Sequence, residues 1–245
     1  MRIQLNTFRK NMPLFLKERN KAITELMDSP DCDVEKLHNT YRNFSIINRG
    51  LSGWRQIFYR HILPLCDDRS KTYSLLDIGF GGGDIPLLLH ELASKNGVTL
   101  EILGIETDER ALHYVGEKSF PKNITFRNCI STVLIEEGKT FDFVICNHVL
   151  HHLTAEEVYV LSEEAIQLCT KRCIFNDLRR SGIAYILFWF LTLIPFRNSF
   201  IRYDGLISIR RSYTPFEFSL LLSGGWRVKR LFAFRILAIY EKVSA

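Results

Sequence analysis

From residue 74 onward, short apolar runs alternate with stretches whose apolar residues recur at helical spacing. The runs at 74–78, 99–105, 124–129, 141–146 and 172–176 read as strands. The intervening stretches 85–95, 109–118 and 155–170 read as helices, the last opened by Thr154 with Glu157 three residues on as a capping box. Strand–helix alternation of this kind predicts an α/β fold with a doubly wound sheet. A final helix over 213–222 stops at Gly224-Gly225, and two strands at 227–232 and 234–242 read as a closing pair. Together these give a Rossmann-like sheet of seven strands.

Residues 1–72 are polar-rich and read as an N-terminal helical extension ahead of a domain at 73–245. A helix is expected over 12–27, stopped by Ser29-Pro30-Asp31. Asp33 is placed to cap a second helix running through Tyr41, and a third runs from Trp54 to Leu63, ending near Pro64. Residues 177–215 form a helical insertion after the fifth strand, and within it 183–196 is almost wholly apolar and rich in aromatics. That run is shorter than the about 20 residues a membrane-spanning helix needs. Three readings stay open for it. It is a buried helix (the default), a lid over a substrate pocket, or a segment resting on a membrane surface, which Arg179, Arg180, Arg197 and Arg202 would favour.

Composition narrows the class. Of 245 residues, 47% are hydrophobic and 24% charged, so a core is available and wholesale disorder is not expected. A net charge of +5 is mildly basic and demands neither nucleic acid nor lipid as partner. The six cysteines form no C-x-x-C pair and fit small core residues in a reducing cytoplasm. Residues 1–20 lack the apolar stretch of a secretory signal, so a cytoplasmic location is expected, with membrane association left open.

The densest chemistry lies at Leu75-Leu76-Asp77-Ile78-Gly79-Phe80-Gly81-Gly82-Gly83-Asp84, a strand, a tight turn and a helix start. Glycine accepts positive φ there and lets a ligand approach the backbone. The dinucleotide fingerprint G-x-G-x-x-G does not fit, because its third glycine falls on Asp84 in one register and on Pro86 in the other. A carboxylate at that place also repels a pyrophosphate. Glu106, at the end of the second strand, suits two adjacent ribose hydroxyls, and Thr107 and Asp108 follow it. The fourth strand delivers Asn147 and His148 to the carboxyl edge of the sheet, ahead of His151 and His152. Histidine can take a hydroxyl proton near neutral pH, which makes His148 the first and His151 the second candidate base. No metal is expected, because His151 and His152 are adjacent and diverge on a helix, with no carboxylate spaced to complete a site.

The spacing Asp77-x-Gly79-x-Gly81-x-Gly83, the acidic Glu106 and the segment Val149-Leu150-His151-His152-Leu153 resemble motifs I, II and IV of the class I S-adenosylmethionine-dependent methyltransferases of small-molecule type. Asn48-Arg49, Asn176 to Arg180 and Arg202 to Tyr213 resemble a bacterial subgroup associated with polyketide or quinone-like substrates. The resemblance implies S-adenosyl-L-methionine as cofactor, S-adenosyl-L-homocysteine as product, and transfer to an oxygen of a hydrophobic or aromatic acceptor. It implies a cofactor-binding set of Asp77, Gly79, Phe80, Gly81, Gly83, Asp84, Glu106, Thr107, Ser131 and Asn147. The third strand lacks the Asp that often holds adenine in such enzymes, so Ser131 is its stand-in. A non-catalytic protein binding cofactor or lipid on the same fold is the alternative. Nucleic acid is not an expected partner, since no basic tract or appended module is present.

Overall fold

The computed structural model describes residues 16–193, 196 and 198–242. Its strands are β1 (Thr72–Ile78), β2 (Thr99–Glu106), β3 (Ile124–Asn128), β4 (Phe141–Asn147), β5 (Cys169–Leu178), β6 (Arg227–Leu231) and β7 (Arg235–Glu241). They form one sheet in the order β3-β2-β1-β4-β5-β7-β6. The first five strands run parallel, and β7 is antiparallel to both β5 and β6. Every residue of β4 is buried, as a central strand covered on both faces requires.

The helices are α1 (Val34–Leu51), α2 (Trp54–Ile57), α3 (Asp84–Lys95), α4 (Glu109–Gly116), α5 (Ser131–Glu136), α6 (Ala155–Leu168), α7 (Gly182–Leu191), α8 (Ile201–Arg211) and α9 (Pro215–Leu221). One face of the sheet packs on α3 through Leu88 and Leu92, together with Trp54, Ile57 and Phe58 of α2 and its continuation. The other face packs on α6 and α9 through Val158, Ala165 and Phe218. The order reverses between β1 and β4, so the loops after these strands open at the switch point where such sheets bind ligands.

Two expectations change, and the helical insertion gains a second helix that the apolar pattern did not mark. The helix read over 12–27 is absent over 16–27, where the chain is an extended strap with one short turn at Leu26–Asp28; residues 12–15 lie outside the described residues. Side chains from elsewhere take over its backbone groups. Asp204 accepts from the Leu26 and Met27 amides at 2.7 and 3.0 Å, and Arg180 Nε donates to the Leu16 carbonyl at 3.0 Å. Helix α8 escapes the apolar pattern because much of its inward face is polar: Asp204, Ser208 and Arg211 are all buried. Helix α7 forms, but it is not buried. Only Gly182 and Ala184 are enclosed, and Ile183, Phe190 and Leu191 are 65%, 60% and 68% exposed. No helix among the described residues is long and apolar enough to cross a membrane.

Candidate functional site

The loop after β1 is fixed by its backbone. Gly79 adopts φ 82°, and its amide donates to the Ile105 carbonyl at 2.8 Å. A Cβ on Gly79 would stand 2.3 Å from Val149 Cγ2, so no other residue fits without displacing that side chain. Gly83, at φ 74°, caps α3. Gly81 is more open, since a Cβ there would touch only Tyr41, at 3.9 Å. Phe80 is buried against Phe126, with ring centroids 4.7 Å apart. It belongs to the core beneath the loop rather than to a ligand-facing surface.

Three carboxylates gather around this loop. Asp77 is buried, and its Oδ1 has no hydrogen-bond partner. Burial, reinforced by the charges of Asp84 and Glu106, pushes its carboxyl well above the usual range. Burial also pushes Asp84 up to about 6, against a hydrogen bond that Asn48 Nδ2 donates at 2.9 Å. Glu106 accepts from the Thr107 amide at 2.8 Å and from the Gly81 amide at 3.4 Å. Thr107 thus braces Glu106. An orphaned buried carboxylate beside two others calls for a cation, and a cationic ligand over Gly81 would supply it.

On the other side of the switch point, β4 ends at Asn147. Its Oδ1 accepts from Trp54 Nε1 at 2.8 Å and from Arg235 at 3.1 Å, so this amide joins the sheet edge to α2 and β7. Ser131 is similarly engaged, donating its hydroxyl to Glu164 at 2.5 Å. The Ser131 hydroxyl and the Asn147 Oδ1 are thus both engaged, which leaves the Asn147 Nδ2 as the group for the role the sequence suggests.

His148 has φ 64°, an unfavourable conformation for a non-glycine residue, held by its amide bond to the Asn176 carbonyl at 2.9 Å. Its ring meets Phe44 of α1 edge-on, and its Nδ1 lies 3.7 Å from Asp177 Oδ1. Burial lowers its pKa to about 4, so the ring is neutral at pH 7. His151 is fully buried between two carboxylates: Nδ1 is 2.8 Å from Asp177 Oδ1, and Nε2 is 3.3 Å from Glu25 Oε1. Burial favours the neutral ring, but Asp177 and Glu25 outweigh it and raise His151 to about 9. Glu25 falls to about 2, since its bond to His151 overcomes its own burial. His151 is therefore an imidazolium whose Nδ1 is hydrogen-bonded to Asp177 and whose buried Nε2 is ion-paired with Glu25, so it is poorly placed to take a substrate proton.

Glu25 belongs to the strap at 16–33, which one sequence gave no reason to place here. Arg19 of the strap donates to the carbonyls of His151 and Leu153 at 2.7 and 2.6 Å, and Glu25 accepts from Ser208 at 2.7 Å. His152 Nδ1 sits 3.1 Å from Asp28. So His151 and His152 do not diverge from all carboxylates, as their adjacency suggested; their rings lie 4.2 Å apart and both face Glu25. Two sets of three groups approach one another within 4.8 Å, Glu25/His151/His152 and His148/His151/Asp177. His151 is common to both, and a protonated ring between carboxylates already satisfies it.

Residues 75–172 match the family model described as "Methyltransferase domain". This stretch is similar to that family's domain over 98 of the chain's 245 residues. The match begins in β1, takes in the glycine loop and the histidines, and ends in β5. Among solved structures, the plantazolicin methyltransferase BpumL in complex with SAH aligns with a TM-score of 0.63 at 16% identity, covering 98% of this chain and 97% of that one. Human N-acetylserotonin methyltransferase in complex with SAM gives 0.60 at 14% identity, over 86% of this chain and 57% of that one. A SAM-dependent methyltransferase from Aquifex aeolicus gives 0.55 at 15%, over 84% and 98%. At these identities the likeness is one of fold. No curated protein matches the chain. The matched stretch thus carries its acidic glycine loop and its histidine cluster on opposite sides of the switch point.

Proposed function

We propose that the chain transfers a methyl group from S-adenosyl-L-methionine to an oxygen of a hydrophobic or aromatic small molecule, leaving S-adenosyl-L-homocysteine. One observation carries the cofactor: the buried, unpartnered Asp77 Oδ1 beside Asp84 and Glu106. Bound there, S-adenosylmethionine supplies a methyl group on a cationic sulfur. Asp77 and Asp84 offset the cofactor's positive charge, and Glu106 accepts from its ribose hydroxyls. Gly81 leaves room for its approach. The dinucleotide alternative is disfavoured, because three carboxylates would face a pyrophosphate.

His148 serves as the base. It is neutral at pH 7, it lies at the end of β4, and its Nδ1 points toward Asp177. It takes the acceptor's hydroxyl proton while the fold holds acceptor and methyl in line, which supplies much of the rate. His151 acts instead as a fixed charge that keeps Asp177 ionised. Phe44 beside His148 favours an apolar acceptor. On this reading the strap, whose Glu25 and Arg19 contact the histidine segment, borders the acceptor side. The test is transfer of a radiolabelled methyl group to a panel of phenols graded in chain length. Transfer to hydroxylated acceptors, lost on O-capping the acceptor, supports the reading. Transfer only to amines or thiols, or none across the panel, counts against it.

A further inference from the structure

Among the described residues three arginines are buried: Arg180, Arg211 and Arg235. Arg180 pairs with Glu217, and Arg211 pairs with Asp28 at 3.3 Å. Arg235, only 6% exposed, pairs with no carboxylate among the described residues. Its hydrogen bonds go to neutral amides instead. Nε donates to Asn176 Oδ1 at 2.8 Å, and Nη2 donates to Asn147 Oδ1 at 3.1 Å. Burial lowers its pKa to about 10, with the charge of Asp177 opposing, so the guanidinium is a cation at pH 7. A buried charge without a counter-charge is costly. A neutral donor would brace the two amides without that cost.

The donor geometry shows which part of the group is open. Nε and Nη2 form one edge of the guanidinium plane, and the two asparagine oxygens fill that edge. The other edge, Nη1 with Nη2, is a second two-pronged fork. Nη1 has no partner among the described residues and is not sealed off from solvent. Asn176 Nδ2 donates to the Ser52 carbonyl at 2.8 Å, and Trp54 Nε1 donates to Asn147, so the junction of α1 and α2 covers the network and fixes the guanidinium.

Position says which ligand it faces. Arg235 opens β7, three strands from β1 in the sheet order, and its side chain reaches back across β5 to the end of β4. Asn147, which it holds there, immediately precedes His148. The charge of Arg235 is among those that depress His148. The charges acting on Asp77, at the end of β1, are those of Asp84 and Glu106 instead. The unpaired cation therefore stands on the base's side of the switch point, away from the glycine loop.

We propose that Arg235 is a specificity-determining residue that holds a carboxylate of the methyl acceptor, so that the acceptor is a hydroxylated acid rather than a neutral phenol or alcohol. A carboxylate takes the open fork with two parallel hydrogen bonds, supplies the missing counter-charge and keeps both asparagine bonds in place. The link to an acceptor rests on the methyl-transfer reading; the anion site itself does not. The experiment is calorimetric titration of the full chain, saturated with S-adenosylhomocysteine, with hydroxynaphthoate and with its methyl ester. The acid is expected to bind about tenfold or more tighter than the ester. Arg235→Gln is expected to remove that preference, and Arg235→Lys, which keeps the charge but not the fork, to retain part of it. Both variants are expected to bind S-adenosylhomocysteine as the wild type does, showing that they fold. The wild-type comparison of acid and ester stands whether or not a variant folds. The proposal is overturned if wild type binds acid and ester alike, if it binds neither, or if Arg235→Gln keeps the full preference. It is also overturned if Arg235→Gln loses affinity for S-adenosylhomocysteine with its thermal unfolding unchanged, because the guanidinium then holds the cofactor's own carboxylate. Preference for the acid in a chain that does not bind S-adenosylhomocysteine would instead overturn the methyl-transfer reading and leave the anion site standing.

Discussion

Glu25 Oε1 lies 3.3 Å from His151 Nε2, a contact that ties the N-terminal strap to the loop after β4 in the interior of the protein. Both side chains are buried, and Asp177 completes the arrangement on the far side of the ring. Removing Glu25 leaves the His151 charge paired with Asp177 but strands its buried Nε2 without an acceptor. Glu25→Ala is therefore expected to cost about 1–3 kcal/mol of stability at neutral pH, read from urea unfolding. A loss below about 1 kcal/mol would show that the strap is held by Arg19 and Asp204 instead.

The same trio sets a stability window in pH. Glu25 has its pKa lowered to about 2, so its contribution is present above its ordinary value near 4.5 and fades as pH falls from there toward about 2. His151 has its pKa raised to about 9, so its contribution is present below 6.5 and fades as pH rises through about 9. Unfolding free energy is expected to be highest between these limits. His151→Gln should flatten the alkaline limb. An alkaline limb that persists in the variant would assign it to other groups.

His148→Ala is expected to lower kcat by about 10²–10⁴ while leaving affinity for S-adenosylhomocysteine intact. Because burial holds His148 near 4, its neutral form dominates from pH 5 upward. The wild-type kcat should then show no His148 limb between pH 5 and 8. A limb near 6.5 that disappears in the variant would place the base's pKa at its ordinary value and contradict the burial argument.

Gly79→Ala introduces a Cβ at φ 82°, 2.3 Å from Val149 Cγ2. The backbone strain alone costs about 1–3 kcal/mol. Adding Val149→Ala should recover part of the total loss, the steric part, in a double-mutant cycle. Full additivity of the two substitutions would mean that the loop moves away from Val149.

Much of this was legible in the sequence because it is local. The strand runs, the glycine turn and the Thr154–Glu157 capping box are set by neighbours within a few residues, and the structure shows each of them. The strap was not legible, because its backbone partners, Asp204 and Arg180, lie far along the chain. Helix α8 was missed because Asp204, Ser208 and Arg211 replace apolar residues on its buried side. The apolar count of 183–196 identified α7 as unusual but could not say which way it faced. Asn147 and Ser131 stand where the resemblance implies ligand-binding residues, yet Trp54 and Arg235 occupy the Asn147 Oδ1 and Glu164 occupies the Ser131 hydroxyl. Only the tertiary structure could supply those partners.

The most direct test of the cofactor site is calorimetric titration of the full chain with S-adenosylhomocysteine, with NADH as control. Saturable binding of S-adenosylhomocysteine alone is expected, abolished by Gly81→Arg, which fills the open side of the loop where Tyr41 is the nearest contact. Binding of NADH, or of neither ligand, would contradict the assignment of Asp77, Asp84 and Glu106 to a cationic cofactor.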